Sequence, residues 1–175
     1  MNLGILLTRA AQSFPNRTAI SLGKTNYCNY IELASRASSL ASSLQRDLNL
    51  NIDDRVGLFM TNCPEFLEVL HGVLHAGMTT LPINNKLHEK ELAYILDDAR
   101  ASALFVTKDL VDKASIAIAR MDHSVKLIVV GDREYEKLLR NESISIVHRN
   151  ADDLAWLFYT SGTTGQPKGA MLTHR

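Results

Sequence analysis

LFYTSGTTGQPKGAMLTHR, residues 157–175, is the stretch on which the reading of this chain turns. An apolar run from Leu154 to Tyr159 breaks into a segment of glycine, serine and threonine that carries one lysine. Within it, Gly162 and Gly165 permit backbone turns that aim N–H groups inward, and Thr160, Ser161, Thr163 and Thr164 offer hydroxyl donors. Lys168 adds a compact positive charge, which completes the donor set a polyanion such as a phosphate chain requires. The pattern is not GxxxxGK[ST], because Pro167 stands where that motif has glycine before its lysine. Nor is Ser161 placed as a hydrolase nucleophile, since GxSxG needs a glycine where this chain has Tyr159. A Gly/Ser/Thr cluster between two elements also fits a plain surface loop, so composition alone leaves both readings open.

Outward from this loop, the chain alternates between short apolar runs and amphipathic helices. The runs at 55–60, 78–83, 103–106, 126–130 and 154–159 have the length of buried strands. Helices are expected from Tyr30 to Leu48, where Asn29 and Glu32 form a capping box, and after Asn62, which pairs with Glu65 as a second cap around Pro64. Gly77 is expected to end the latter, and further helices are expected near 89–98 and 109–120. A hairpin fits 19–27, a polar connection fits 141–153, and Leu3, Leu6, Leu7, Ala10, Ala11 and Phe14 mark one face of an opening helix. Continuous apolar strands between such helices predict an α/β fold with a mainly parallel, doubly wound sheet flanked by helices on both faces. The loop after Tyr159 then lies beyond the carboxyl end of a strand, where ligands gather in open α/β sheets.

Composition narrows the function classes. At 175 residues with 46% hydrophobic side chains the chain can fill a core. Lys plus Arg and Asp plus Glu balance at 19 each, so no basic field exists to attract nucleic acid, and an anion site has to be local. No apolar stretch approaches the roughly 20 residues of a transmembrane helix. Cys28 and Cys63 lack CxxC spacing, which with the absence of a basic leader predicts a cytoplasmic protein. No GxGxxG occurs, which disfavours a dinucleotide site. His71 and His75 share a helix at i,i+4, but two ligands do not complete a metal site, and no metal-ligating residues are assigned. The neighbouring acids Asp97 and Asp98, and Asp152 and Asp153, point different ways and read as solvated ends. Trp156 reads as core or interface.

The order of residues decides what composition leaves open. YTSGTTGQPKG, 159–169, resembles the signature phosphate loop of the adenylate-forming superfamily, which comprises acyl-CoA synthetases, luciferases and the adenylation domains of peptide synthetases. Upstream, the segment from Tyr27 to Leu44, with Tyr30, Glu32, Leu33, Arg36 and Ala37, is similar to the family's first core motif. HGVLHAGMTTLPIN, His71 to Asn84, is similar to its second, with Ala76, Gly77, Pro82 and Asn84 at the matching places.

The resemblance implies that residues 1–175 are the opening part of the large N-terminal domain of such an enzyme, with its C-terminal catalytic domain absent. It implies ATP, Mg2+ and CoA as the parent's cofactors and a carboxylic acid as its substrate. Thr160, Ser161, Gly162, Thr163, Thr164, Gly165 and Lys168 would form its ATP-binding loop, with Thr160 to Thr164 wrapping the β- and γ-phosphates and Lys168 as the counter-charge, either in contact with phosphate or anchoring the loop. The family's adenine pocket, magnesium-binding acid, ribose-binding aspartate and catalytic lysine have no match here, so this chain is expected to hold no catalytic residue and to be inactive alone. GMTTLPINNKL and NCPEF are closer to fatty-acyl and related CoA ligases than to amino-acid adenylating domains, which remain the alternative together with a noncatalytic nucleotide-binding module. A sheet cut short exposes an edge, so self-association is expected.

Overall fold

The computed structural model describes residues 1–160 and 166–175. Helix α1 (Ile5–Ser13) precedes a hairpin of β1 (Thr18–Leu22) and β2 (Thr25–Asn29), and α2 (Tyr30–Arg46) follows at once. The start of α2 is set by the expected capping box: Asn29 Oδ1 accepts from the Glu32 amide at 2.9 Å, and Glu32 Oε2 accepts from the Asn29 amide at 2.9 Å. Then come β3 (Arg55–Phe59), α3 (Pro64–His75), β4 (Thr79–Pro82), α4 (Glu89–Asp98) and β5 (Ala101–Val106). The chain continues through a 3-10 turn into α5 (Val111–Ile118), β6 (Lys126–Val129), α6 (Arg133–Leu138), β7 (Leu154–Thr160) and β8 (Lys168–Thr173).

Strands β3 to β8 form one sheet in the order β6-β5-β3-β4-β7-β8, parallel throughout except for the antiparallel pair β7–β8. The chain steps from β3 to β4, crosses back over β3 to build β5 and β6, then returns to place β7 beside β4. On one face, Val56, Leu58 and Phe105 pack with Leu40, Leu44, Val69, Val73 and Tyr135 from α2, α3 and α6. On the other, Phe59, Leu104 and Val106 pack with Leu92, Ile95, Leu96, Ala114 and Ala117 from α4 and α5. The sheet is therefore doubly wound. Its parallel strands read as unbroken apolar runs because both of their faces are covered.

Three local expectations change. The N-cap of α3 is Cys63, not Asn62, and no side chain caps it. Pro64 at the first helical position forces the residue before it into extended backbone, here φ −147° and ψ 162° at Cys63, so Glu65 cannot reach the third position that a capping box requires. In α1 only Leu7 and Ala11 are buried, whereas Leu6 and Phe14 are exposed. Leu6 lies about 100° around the helix from Leu7, and Phe14 lies past the last helical residue. Helix α6, which the sequence reading omitted, opens on Asp132, whose side chain accepts from the Tyr135 amide at 2.7 Å.

Gly77 ends α3 as expected, with φ 73°. A Cβ there would stand 2.7 Å from Val147 Cγ1, because the 141–153 connection folds back against the helix end. That connection is pinned by backbone partners: Val147 donates to the His75 carbonyl at 3.0 Å, and Ser38 Oγ donates to the Ile144 carbonyl at 2.9 Å. It thereby carries the chain back to β7.

One buried polar group ties three helices together. Glu68 on α3 is fully buried and takes a two-pronged contact from Arg36 on α2, Nε to Oε1 at 2.5 Å and Nη2 to Oε2 at 3.1 Å. Tyr135 on α6, also fully buried, donates its hydroxyl to Glu68 Oε2 at 2.8 Å. Arg36, noted in the sequence as a family-motif position, is thus a structural counter-charge. No helix among the described residues is long and apolar enough to cross a membrane.

Candidate functional site

The candidate loop hangs between β7 and β8. Strand β7 enters the sheet through its pairing with β4, Thr80 opposite Trp156, reinforced by the Thr79 and Thr80 hydroxyls, which donate to the Leu154 and Ala155 carbonyls at 3.3 Å. Its other edge pairs with β8 in the register Trp156 to Leu172, Leu157 to Met171, Phe158 to Ala170, Tyr159 to Gly169 and Thr160 to Lys168. Thr160 and Lys168 are therefore directly opposed and close the ladder. Facing residues on an antiparallel pair have Cβ atoms about 5 Å apart, so the hydroxyl and the ammonium leave the sheet on one face. Ser161, Gly162, Thr163, Thr164 and Gly165 lie outside the described residues.

Alternation along the hairpin sorts the rest of the site. Trp156, Phe158 and Thr160 share a face with Lys168, Ala170 and Leu172; Leu157 and Tyr159 share the opposite face with Gly169 and Met171. Trp156 is half-buried against the α2–α3 core and stacks on Phe158 at 5.0 Å between ring centroids, which keeps it structural. Tyr159 donates its hydroxyl to Asp98 at the end of α4. Its phenol is pushed well above its usual range by burial, with Asp98 adding to the shift, so it remains a donor.

A cavity of about 370 Å3 lies at the carboxyl ends of β3, β4 and β7, lined by Met60, Asn62, Phe66, Asn84, Phe158 and Tyr159 among others. It has the position that open α/β sheets give to ligands. A larger cavity of about 510 Å3 lies between β2 and α2, lined by Tyr27, Cys28, Glu32, Ser35 and Arg36. Its arginine is already neutralised by Glu68, so it is the poorer anion site. His71 and His75 sit half-buried on α3, and His75 Nε2 bonds to the Ile144 carbonyl at 2.8 Å. Burial pushes both imidazoles below their usual range. Among the described residues no group of three His, Cys, Asp or Glu is placed to hold a metal ion.

Two of these features escaped the sequence reading. Strand β8 carried a weak signal, since KGAMLT alternates poorly and is exposed along most of its length. The pairing of Tyr159 with Asp98 had no local signal, because the two residues are far apart in the chain.

With the loop stems, the cleft and the sheet order in place, comparison with known proteins is decisive. Residues 7–175 match the AMP-binding enzyme family model. The chain belongs to the AMP-binding enzyme family. It is 35% identical to feruloyl-CoA synthase of an Amycolatopsis species over 98% of this chain and 33% of that protein. It is 33% identical to indigoidine synthase of Streptomyces lavendulae over 98% of this chain and 13% of that protein. Among solved structures, a long-chain-fatty-acid-CoA ligase from Archaeoglobus fulgidus superposes with a TM-score of 0.88 at 26% identity, over 99% of this chain and 37% of that one. The chain spans about a third or less of the length of the curated relatives it matches. The matched span covers all three motif stretches read from the sequence, at 27–44, 71–84 and 159–169.

Proposed function

We propose that residues 1–175 are the N-terminal portion of the AMP-binding domain of an acid–CoA ligase. In the whole protein a carboxylate oxygen attacks the α-phosphorus of ATP, pyrophosphate leaves, and the thiol of CoA then takes the acyl group from the acyl-adenylate, releasing AMP. Such chemistry asks the protein for alignment and charge stabilisation and needs no covalent nucleophile. Thr160 through Gly165 would bind the β- and γ-phosphates through backbone amides and hydroxyls, and Lys168 would offset the charge that grows on the departing pyrophosphate. The observation that carries this reading is the closing pair Thr160–Lys168, which places both stems of the YTSGTTGQPKG segment at the carboxyl end of β7.

Mg2+ shares the charge of a triphosphate when bound, and it takes most of its ligands from phosphate and water. Among the described residues no three His, Cys, Asp or Glu side chains converge to hold it. The acid is proposed to be a fatty acid, supported by the GMTTLPINN sequence at 77–85 and by the fatty-acyl ligases among its structural neighbours. The YTSGTTGQPKG signature, which amino-acid adenylating domains of the same superfamily share, keeps an amino acid as the second reading.

Pyrophosphate exchange by the full-length protein against a panel of fatty, aromatic and amino acids tests both. Exchange stimulated by a fatty acid is expected, and stimulation by amino acids alone overturns the acid–CoA ligase assignment. The 175-residue chain by itself is expected to release no pyrophosphate from ATP with any acid. It is also proposed to self-associate through its exposed last hairpin.

A further inference from the structure

We infer that Tyr159, held by Asp98 and stacked over Gly169, is a positioning residue that sets the two stems of the loop; this rests on the phosphate reading above. Strand β7 pairs with β4 at Trp156, and residues 157–160 run on beyond that pairing. Over that span the ladder to β8 holds one edge of the strand. A second anchor comes from Asp98, the last residue of α4, which accepts the Tyr159 hydroxyl and fixes the strand from the face of the sheet that α4 covers.

The same ring holds the other stem. Tyr159 and Gly169 face each other across the ladder, and a Cβ on Gly169 would come 3.2 Å from Tyr159 Cζ and 3.1 Å from Leu157 Cδ1. The glycine after Lys168 is therefore the hollow into which the aromatic ring settles, and the ring in turn shields a backbone that carries no side chain of its own. One residue thus grips β7 through its own backbone, β8 through ring contact and α4 through its hydroxyl. Thr160 and Lys168 are its immediate neighbours on the two strands, so a shift of Tyr159 moves both groups proposed to meet phosphate. Arg55 and Met171 line the small cavity of about 230 Å3 beside this contact, which leaves the hydroxyl room to swing away when its acceptor is lost.

The test uses the full-length protein and inorganic pyrophosphate, titrated by 31P NMR, with thermal unfolding followed in parallel. Tyr159→Phe removes only the hydroxyl, and Asp98→Ala only its acceptor. Each is expected to weaken pyrophosphate binding about three- to tenfold, the range of one net hydrogen bond, while leaving the unfolding midpoint within a degree or two. Asp98→Asn keeps an acceptor and is expected to restore most of the affinity. The double variant is expected to match either single one, since both cut the same link. Affinity unchanged in Tyr159→Phe, or lost only in proportion to stability, overturns the positioning role, provided Lys168→Ala abolishes binding. Absent binding by the native chain, or binding indifferent to Lys168→Ala, overturns the phosphate reading itself and the tether's function with it.

Discussion

The middle of the sheet and its last hairpin spend the same kinds of side chain to opposite ends. Leu58, Phe59, Leu104, Phe105 and Val106, on β3 and β5, are all fully buried. Phe158, Met171 and Leu172, on β7 and β8, are 38%, 73% and 49% exposed. The middle strands have a neighbour on each edge and helices on each face. Among the described residues, the hairpin has one covered face at its base and no strand on its outer edge. Packing therefore thins along the hairpin that carries both stems of the loop. Polar groups divide the same way. In the interior Glu68 has three satisfied contacts, while at the rim Lys168 is exposed.

The largest break in this contrast is expected from the interior. Arg36→Ala leaves the buried Glu68 carboxylate without its counter-charge and should cost about 3–5 kcal/mol of stability, read from the urea midpoint. Replacing all three partners together, Arg36→Met with Glu68→Leu and Tyr135→Phe, should recover most of that loss. A single variant close to the native midpoint would show that Glu68 is not held as an isolated buried charge.

A smaller effect should come from protons, and it involves both regions. Burial lowers the pKa of His71 and His75 in α3 and of His174 at the hairpin's end, where Arg149 adds to the shift. Unfolded histidine titrates near 6.5, so on acidification the unfolded chain takes up these protons first. The stability these groups contribute is complete above about pH 6.5, falls as pH drops through that value, and levels off below the folded-state pKa values. Urea midpoints at about pH 8 and pH 5.5 should differ in that direction, and His71→Gln should narrow the gap. An unchanged gap would remove His71 from the account.

The smallest effect on folding is expected at the rim. Met171→Thr with Leu172→Thr should change stability by no more than about 0.5 kcal/mol, since both side chains are exposed. It should nonetheless lower the proposed self-association in sedimentation, because an exposed edge strand with apolar side chains is a template for pairing. A native chain that stays monomeric at high concentration would count against that role for the hairpin.

Most of the regular architecture was legible because its signals are local. The capping box at Asn29, the glycine stop at Gly77 and the apolar runs of β3 to β7 each depend on residues within a few positions of one another. The family was legible through residue order, in which Thr160, Ser161 and the glycines precede Lys168 as in the signature that the segment resembles. The cap of α3 misled because Asn62 and Glu65 have the right residue types, while Pro64 sets the helix start one residue later. Met171 and Leu172 gave no clear strand period because β8 has no buried face to enforce one.

By itself, then, the sequence determined the alternation of strands and helices, the membership of an AMP-binding family and the place of the loop after an apolar strand. Only the tertiary structure decided that β7 returns beside β4, that Arg36 answers Glu68 and Tyr135, and that Asp98 holds Tyr159 over Gly169. The physical reason is range. Periodicity and capping are written in neighbouring residues, whereas these pairings join groups distant in sequence, whose encounter depends on how the whole sheet is wound.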